Sequence, residues 1–274
     1  MRFAHISDLH LDAAPQDHPL LRNNLYEALE ILFGDLREIQ SYLDFVAITG
    51  DLTETGDTGS YLKIKALTDT LDIPVFVVPG NHDLREPFRN VFGLSGPLPD
   101  TGPLDFYVNS AEAQIIGLDS LIEGTMTGRL TDGQLDRLQT NLLSATAPHT
   151  IILLHHSPFS TGLAEFDEIS KVEGDQVFGE LIRTARSKIT LLCGHIHRPY
   201  HAVWMGAQCY VAGSPAFQFG GEKPFGDCVL GLVDEPFSYF IHSLGASGDH
   251  VVSTRYVDLN SAGSDGALRR GLLS

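Results

Sequence analysis

The sequence is poor in cysteine, in basic residues and in long apolar runs, and each shortage excludes something. Its 274 residues include three cysteines, Cys193, Cys209 and Cys228. An odd, sparse set is no disulfide framework and points to a reducing compartment. Lysine and arginine number 18 against 35 aspartates and glutamates, a formal net charge of −17. A nucleic-acid polymer is bound through a basic footprint and counterion release, so no DNA or RNA partner is expected. An anionic membrane surface is repelled by the same field. The longest apolar runs, such as Ile151–Leu154 and Ile189–Cys193, fall far short of the roughly 20 residues that span a bilayer. The opening Met1-Arg-Phe-Ala-His-Ile-Ser-Asp8 shows no apolar leader and no small-residue cleavage site, so the expected location is cytoplasmic. No Gly-x-Ser-x-Gly elbow and no Gly-x-x-x-x-Gly-Lys-Ser/Thr loop occurs, which sets aside serine-nucleophile hydrolysis and P-loop switching.

What is present is a globular composition, 43% hydrophobic, which rules out intrinsic disorder. Arg2–Ser7 reads as a strand. Leu20, Leu21, Leu25, Leu29, Leu32, Leu36 and Ile39 recur at helical spacing and suggest one long helix. Phe45–Thr49 is a buried-type strand. Tyr61, Ile64, Leu67 and Leu71 mark a helix capped by Asp57 or Thr58, and Ile73–Val78 is a β-branched strand. This β-α-β-α-β order favours parallel pairing with helices on the sheet faces, an α/β class. A loop over Gly93–Pro103 precedes strands at Asp105–Asn109 and Ala113–Leu118. Thr131-Asp-Gly-Gln134 is a capping box opening a helix. Strands at Thr150–Leu154 and Lys188–Cys193 flank a helix near Val177–Arg186. From about residue 200 the pattern is all strand and turn, including Val229–Val233. The expectation is a single domain over residues 1–259 with a Gly/Ser-rich flexible tail over 260–274.

Five segments carry the chemistry: Asp8-Leu-His10, Gly50-Asp51, Gly80-Asn-His-Asp83, His155-His156 and Gly194-His-Ile-His197. Each directly follows a predicted strand, and in open α/β sheets that edge binds ligands. Asp8 with His10, and His195 with His197, are two apart, so on an extended segment each pair aims at one centre. Gly50 and Gly80 permit a sharp turn or a close approach at the strand end. Together the segments offer more oxygen and imidazole ligands than one zinc-type ion takes, and two ions sharing a carboxylate use the whole set. The ligand types suit Fe, Mn, Zn or Co. Taken singly, each segment has a bland reading; Asp83, for instance, is placed to cap a helix beginning near Leu84. Their joint occurrence at successive strand ends favours the site. The remaining histidines, His5, His18, His149, His201, His242 and His250, read as structural or solvated.

This series resembles the calcineurin-like binuclear metallophosphoesterases. His5-Ile-Ser-Asp-Leu-His10, Val78-Pro-Gly-Asn-His-Asp83, Gly128-Arg-Leu-Thr131, His155-His-x-Pro158 and Cys193-Gly-His-Ile-His197 are most similar to bacterial class III cyclic nucleotide phosphodiesterases and related glycerophosphodiesterases. The resemblance covers roughly residues 1 to 215. Position 157 is Ser where the family often has Pro. The resemblance implies a four-layer α-β-β-α sandwich of two mixed sheets flanked by helices.

It also implies the site. One metal falls to Asp8, His10, Asp51 and His197, the other to Asp51, Asn81, His155 and His195, with Asp51 bridging. His82 matches the catalytic histidine and Asp83 is expected to orient it, while Asn81, His82 and His197 are expected to bind substrate. The cofactors implied are two divalent or mixed-valence ions, Fe, Mn, Zn or Co. The implied reaction is hydrolysis of a small phosphodiester by a metal-activated hydroxide. A 3′,5′-cyclic nucleotide is the leading substrate, with a glycerophosphodiester or other small diester as the alternative. A phosphomonoesterase and a non-catalytic scaffold rank below these. The loops Asp119–Arg129, Ser157–Asp175 and Gly213–Phe219 are expected near the site. There Arg129 reads as structural before phosphate-binding, and Phe217 and Phe219 as core before base-stacking. The β-rich C-terminal part is open to self-association, as a dimer or larger homo-oligomer, or to a role as lid.

Overall fold

The computed structural model describes residues 1–13, 20–93, 97–162, 164–220, 231–233, 235–245 and 248–260. The chain runs β1 (Arg2–Ile6), α1 (Leu25–Ile39), β2 (Phe45–Ile48), α2 (Thr58–Thr68), β3 (Val75–Val77), α3 (Arg85–Phe92), β4 (Phe106–Asn109), β5 (Ala113–Leu118), β6 (Gly128–Arg129), α4 (Asp132–Ser144), β7 (His149–Leu154), α5 (Ala164–Ile169), β8 (Val172–Glu173), α6 (Asp175–Thr184), β9 (Lys188–Cys193), β10 (Tyr200–Trp204), β11 (Ala207–Val211), β12 (Gln218–Gly220), β13 (Gly231–Val233), β14 (Phe237–Leu244) and β15 (His250–Val257).

The strands form two large mixed sheets. The first has the order β15-β14-β1-β2-β3, with β1, β2 and β3 parallel and β14 and β15 antiparallel. The second has the order β10-β11-β9-β7-β5-β4, with β11, β9, β7 and β5 parallel and both outer strands antiparallel. Strand alternation sorts the apolar residues into layers. Phe3, Phe45, Ala47, Ile151, Leu153, Leu192, Tyr210 and Phe240 point into one core shared by the two sheets. Their neighbours Ala4, Ile6, Val46, Ile48, Tyr239 and Ile241 point outward, onto Leu29, Leu32 and Leu36 of α1 and Ile64 of α2. On the other side Ile152, Leu154, Leu191 and Cys193 pack with Leu135 and Leu138 of α4 and Phe178 and Ile182 of α6. Helix, sheet, sheet and helix are thus four layers with three apolar seams.

Local chemistry sets the helix starts. Asp57 caps α2 by accepting from the Ser60 N–H at 2.9 Å, and Thr131 with Gln134 closes the capping box of α4. The long helix begins only at Leu25. Leu20 and Leu21 precede it, and the Arg22 N–H donates to the Ala216 carbonyl, 3.2 Å away. The strand expected over Ile73–Val78 is confined to Val75–Val77, between Pro74 and Pro79. Of the strand expected at Val229–Val233, residues 231–233 are β13; residues 229 and 230, residues 94–96 of the expected loop, His18, Cys228 and residues 261–274 lie outside the described residues. Among the described residues no helix is long and apolar enough to cross a membrane.

Candidate metal centre

The C-terminal ends of β1, β2 and β3 in one sheet, and of β7 and β9 in the other, meet at the same end of the sandwich. Backbone bonds stitch the first set together: the Asp8 N–H donates to the Gly50 carbonyl at 3.0 Å and the His10 N–H to the Asp51 carbonyl at 2.9 Å. Across the seam, the His195 N–H sits 3.0 Å from both carboxylate oxygens of Asp8. The His155 Nδ1–H donates to the Thr49 carbonyl at 2.7 Å.

These contacts hold an unusual backbone. Six described non-glycine residues have positive φ, and five of them are Asp8 (56°), His10 (47°), Asp51 (48°), His195 (74°) and His197 (52°). Such conformations cost roughly 1–3 kcal/mol each and persist where the surroundings over-determine them. This changes the expected reading of the two-apart pairs, which are left-handed rather than extended. His197 turns toward His10, with their Nε2 atoms 2.9 Å apart, whereas the His195 ring lies 5.1 Å from that of His155. The pair therefore falls into two neighbouring clusters of ligand-type atoms, not one. Gly80 is needed for close approach: a Cβ there would lie 2.2 Å from Asp51 Oδ1.

Each candidate ligand histidine has one nitrogen tied to the protein, and His10, His197 and His155 turn the other inward. His10 Nδ1 donates to Glu54 Oε2 at 2.6 Å, His197 Nδ1 to the Phe217 carbonyl at 3.2 Å, and His195 Nε2 to the Ile169 carbonyl at 3.1 Å. Such outer bonds fix the tautomer and aim the free nitrogen, as metal-ligating histidines do. The inward atoms fall into two sets. Asp8, His10, Asp51 and His197 have ligand atoms within 4.8 Å of one another. In the second, His155 Nε2 lies 3.0 Å from Asn81 Oδ1 and 3.3 Å from Asp51 Oδ2, and ligand atoms of His155, His156 and His195 lie within 4.8 Å of one another. The same Asp51 Oδ2 is 3.5 Å from His10 Nε2, so one carboxylate oxygen faces both sets.

Asp8, His10, Asp51 and His155 are at most 1% exposed. Burial alone would raise the carboxyl pKa values, but the facing histidines outweigh it. His197 and His155 hold Asp8 below its ordinary range, and His155 and His10 hold Asp51 well below. Burial would likewise lower His155, yet Asp51 pushes it up to about 9. The donor chemistry fits a cation. Two imidazole lone pairs converge at 2.9 Å between two buried carboxylates, an arrangement that a positive charge stabilises.

His82 borders this cluster and is the most exposed of its histidines. Its N–H donates to Asp51 Oδ1 at 2.8 Å and its ring Nδ1 to the Glu54 carbonyl at 3.1 Å. Burial would lower its pKa, but Asp51 and Glu54 raise it. Asp83 faces away. Its carboxylate accepts from the N–H groups of Leu52, Thr53 and Gly80 and from the hydroxyls of Thr53 and Tyr61. It neither caps α3, whose N-cap is Leu84, nor hydrogen-bonds to the His82 ring among the described contacts. Burial and the Asp51 charge push Asp83 up to about 6. His156 has both nitrogens committed, to Ser120 Oγ at 2.7 Å and to the Met126 carbonyl at 3.1 Å. Arg129 pairs with Glu173 across β6 and β8. Phe217 and Phe219 are half-buried and lie 4.2 and 5.5 Å from the His197 ring.

The sequence reading missed Glu54, whose only signal is its place three residues after Asp51. It also missed the carbonyls of Thr49, Phe217 and Ile169, which carry no side-chain signal at all.

The calcineurin-like phosphoesterase family model matches residues 1–199. A probable glycerophosphodiester phosphodiesterase, GpdQ, of Arcobacter nitrofigilis is 27% identical over 219 residues, 80% of each chain. The 3′,5′-cyclic adenosine monophosphate phosphodiesterase CpdA of Escherichia coli is 29% identical over 221 residues, 80% of this chain and 78% of that one. Among solved structures, a dimetal phosphatase from Danio rerio superposes with a TM-score of 0.67 at 12% identity, covering 94% of this chain and 96% of its own. With the family model matching most of the chain and the fold agreeing, the protein belongs to the calcineurin-like metallophosphoesterases.

Proposed function

We propose that the protein is a metal-dependent phosphodiesterase of small phosphodiesters, with 3′,5′-cyclic nucleotides as the leading substrate class. The observation that carries this reading is the shared Asp51 oxygen facing His10 on one side and His155 on the other, inside a buried ring of ligand atoms. Asp8, His10, Asp51 and His197 would hold one ion, and Asp51, Asn81, His155 and His195 the second. When bound, two such ions polarise phosphoryl oxygens and lower the pKa of coordinated water.

The chain's own residues supply the rest. The two-carboxylate centre is anionic by itself, so the ions turn a site inside a −17 chain into one that attracts phosphate. Asn81 and His197 line the place where the phosphoryl group would sit. With Nδ1 held by the Glu54 carbonyl, His82 presents Nε2 to the leaving oxygen, where a protonated ring donates its proton. Asp83 acts at one remove, fixing the loops after β2 and β3 that carry Asp51 and His82.

A second reading, a broader diesterase acting on glycerophosphodiesters, is favoured by the similarity to GpdQ at equal coverage. The test is a parallel hydrolysis assay of manganese-reconstituted protein on 3′,5′-cyclic AMP, a glycerophosphodiester and an aryl phosphodiester, each with a chelator control. Chelator-sensitive preference for cyclic AMP supports the first reading, and equal turnover of all three supports the second. No turnover with metal bound removes both.

A further inference from the structure

We propose that Glu54 is a positioning residue that sets one metal ligand and the substrate-facing histidine as a single unit; this rests on the metallohydrolase reading above. Glu54 lies in the turn after β2, and both of its polar ends are spent on imidazole rings. Its carboxylate Oε2 accepts from His10 Nδ1 at 2.6 Å and stands 3.5 Å from His82 Nδ1. Its main-chain carbonyl accepts from His82 Nδ1 at 3.1 Å. The two rings meet edge to face, 4.7 Å apart.

The residue is itself held firmly. Its N–H donates to the Leu11 carbonyl at 3.2 Å, beside His10, and the preceding Thr53 is bound to the Asp83 carboxylate. The side chain is only 12% exposed, so water competes poorly for the bond to His10. A carboxylate on the outer nitrogen of a ligating histidine fixes the tautomer, orients the ring and strengthens the inner nitrogen as a donor. Glu54 does this for His10, while its backbone does the same for His82, so a shift of one residue would misplace both rings.

The test compares Glu54→Ala, Glu54→Leu and Glu54→Gln with the full wild-type chain. The first readout is Zn²⁺ affinity by competition with a chromophoric chelator, on proteins shown to be folded by circular dichroism. Leu fills the volume of Glu without an acceptor, and Gln keeps an oxygen for the His10 Nδ1–H. Loss of such an outer partner typically weakens metal binding or activity by about 10–100-fold. Ala and Leu are therefore expected to weaken one zinc site by that factor, and Gln to stay within about fivefold of wild type. The second readout is turnover at saturating metal. Glu54→Leu removes the Oε2 that stands 3.5 Å from His82 Nδ1 while keeping the main-chain carbonyl, and is expected to lower kcat with little change in KM, several-fold less when His82 is already Ala.

Wild-type zinc affinity in the Leu variant overturns the proposal, as does a Gln variant as weak as Leu. So do fully additive losses with His82→Ala. If the wild-type chain hydrolyses no diester, the phosphodiesterase reading fails while the zinc arm still decides the role of Glu54.

Discussion

Removing the Asp83 carboxylate tests whether the site is held from behind. Three backbone N–H groups, from Leu52, Thr53 and Gly80, and two hydroxyls, from Thr53 and Tyr61, end on this one side chain, which is 1% exposed. Both hydroxyls also accept, Thr53 Oγ1 from the Gly56 N–H and the Tyr61 oxygen from the Leu84 N–H, but their own O–H donors still end on Asp83. All five donors lose their acceptor in Asp83→Ala, and each orphaned buried donor costs about 1–3 kcal/mol. Part of this is returned, because the carboxyl is pushed up to about 6 and its charge is unfavourable at neutral pH. That return is at most about 3 kcal/mol, so a net loss of at least about 2 kcal/mol is expected for Asp83→Ala. Asn can keep its oxygen on the Leu52 and Gly80 side and turn its amide to the hydroxyls. Asp83→Asn then keeps the Leu52 and Gly80 bonds and lets the hydroxyl oxygens accept from the amide, so a smaller loss than for Ala is expected. The assay is urea unfolding followed by Trp204 fluorescence and far-UV circular dichroism, read at constant m. A loss under about 1 kcal/mol for Ala, or equal losses for Ala and Asn, would refute the accounting.

Three further outcomes follow from the same geometry. His82→Ala is expected to retain its metal content while kcat falls about 10²–10⁴-fold, the usual worth of one general acid; full activity would remove His82 from the chemistry. Gly80→Ala drives a methyl group to 2.2 Å from Asp51 Oδ1 and 2.4 Å from the Asp51 nitrogen. It should cost about 1–3 kcal/mol and reduce metal stoichiometry, with unchanged metal content contradicting the close packing. Burial lowers His5 to about 3, against a small opposing effect of Asp8, and burial with His5 and His250 nearby lowers His242 well below its ordinary value. These rings stay neutral in the folded chain while the unfolded chain takes up protons, so stability is lost as the pH falls from about 6.5 toward 3. At pH 5 His5 alone accounts for about 2 kcal/mol. Denaturation of chelator-treated protein at pH 7.5 and 5 measures the slope, which His242→Phe should reduce; an unchanged slope contradicts the assignment.

The order of strands and helices could be read from the sequence because apolar runs are short, helical spacing is regular and the caps are local, while the four layers came with the family resemblance. Phe3, Phe45 and Ala47 stand opposite Ala4, Val46 and Ile48, and Asp57 and Thr131 announce the helices they begin. What could not be read depends on distant partners. The Arg22 N–H, for instance, ends on the Ala216 carbonyl, nearly two hundred residues on. At the site, residue types and order marked the ligand segments. Their conformation was hidden, because left-handed φ at Asp8, His10, Asp51, His195 and His197 is imposed by contacts across the seam and not by neighbours in sequence. Asp83 shows the same limit. Its position suggested a cap or a partner for His82, but the donors that reach it come from three separate segments.

Whether two ions share Asp51 is decided by anomalous scattering from manganese-loaded crystals. Two peaks are expected, one among Asp8, His10 and His197 and one among Asn81, His155 and His195, both in contact with the Asp51 carboxylate. A single peak, or a second one between Glu54 and His82 away from Asp51, would contradict the shared-carboxylate centre.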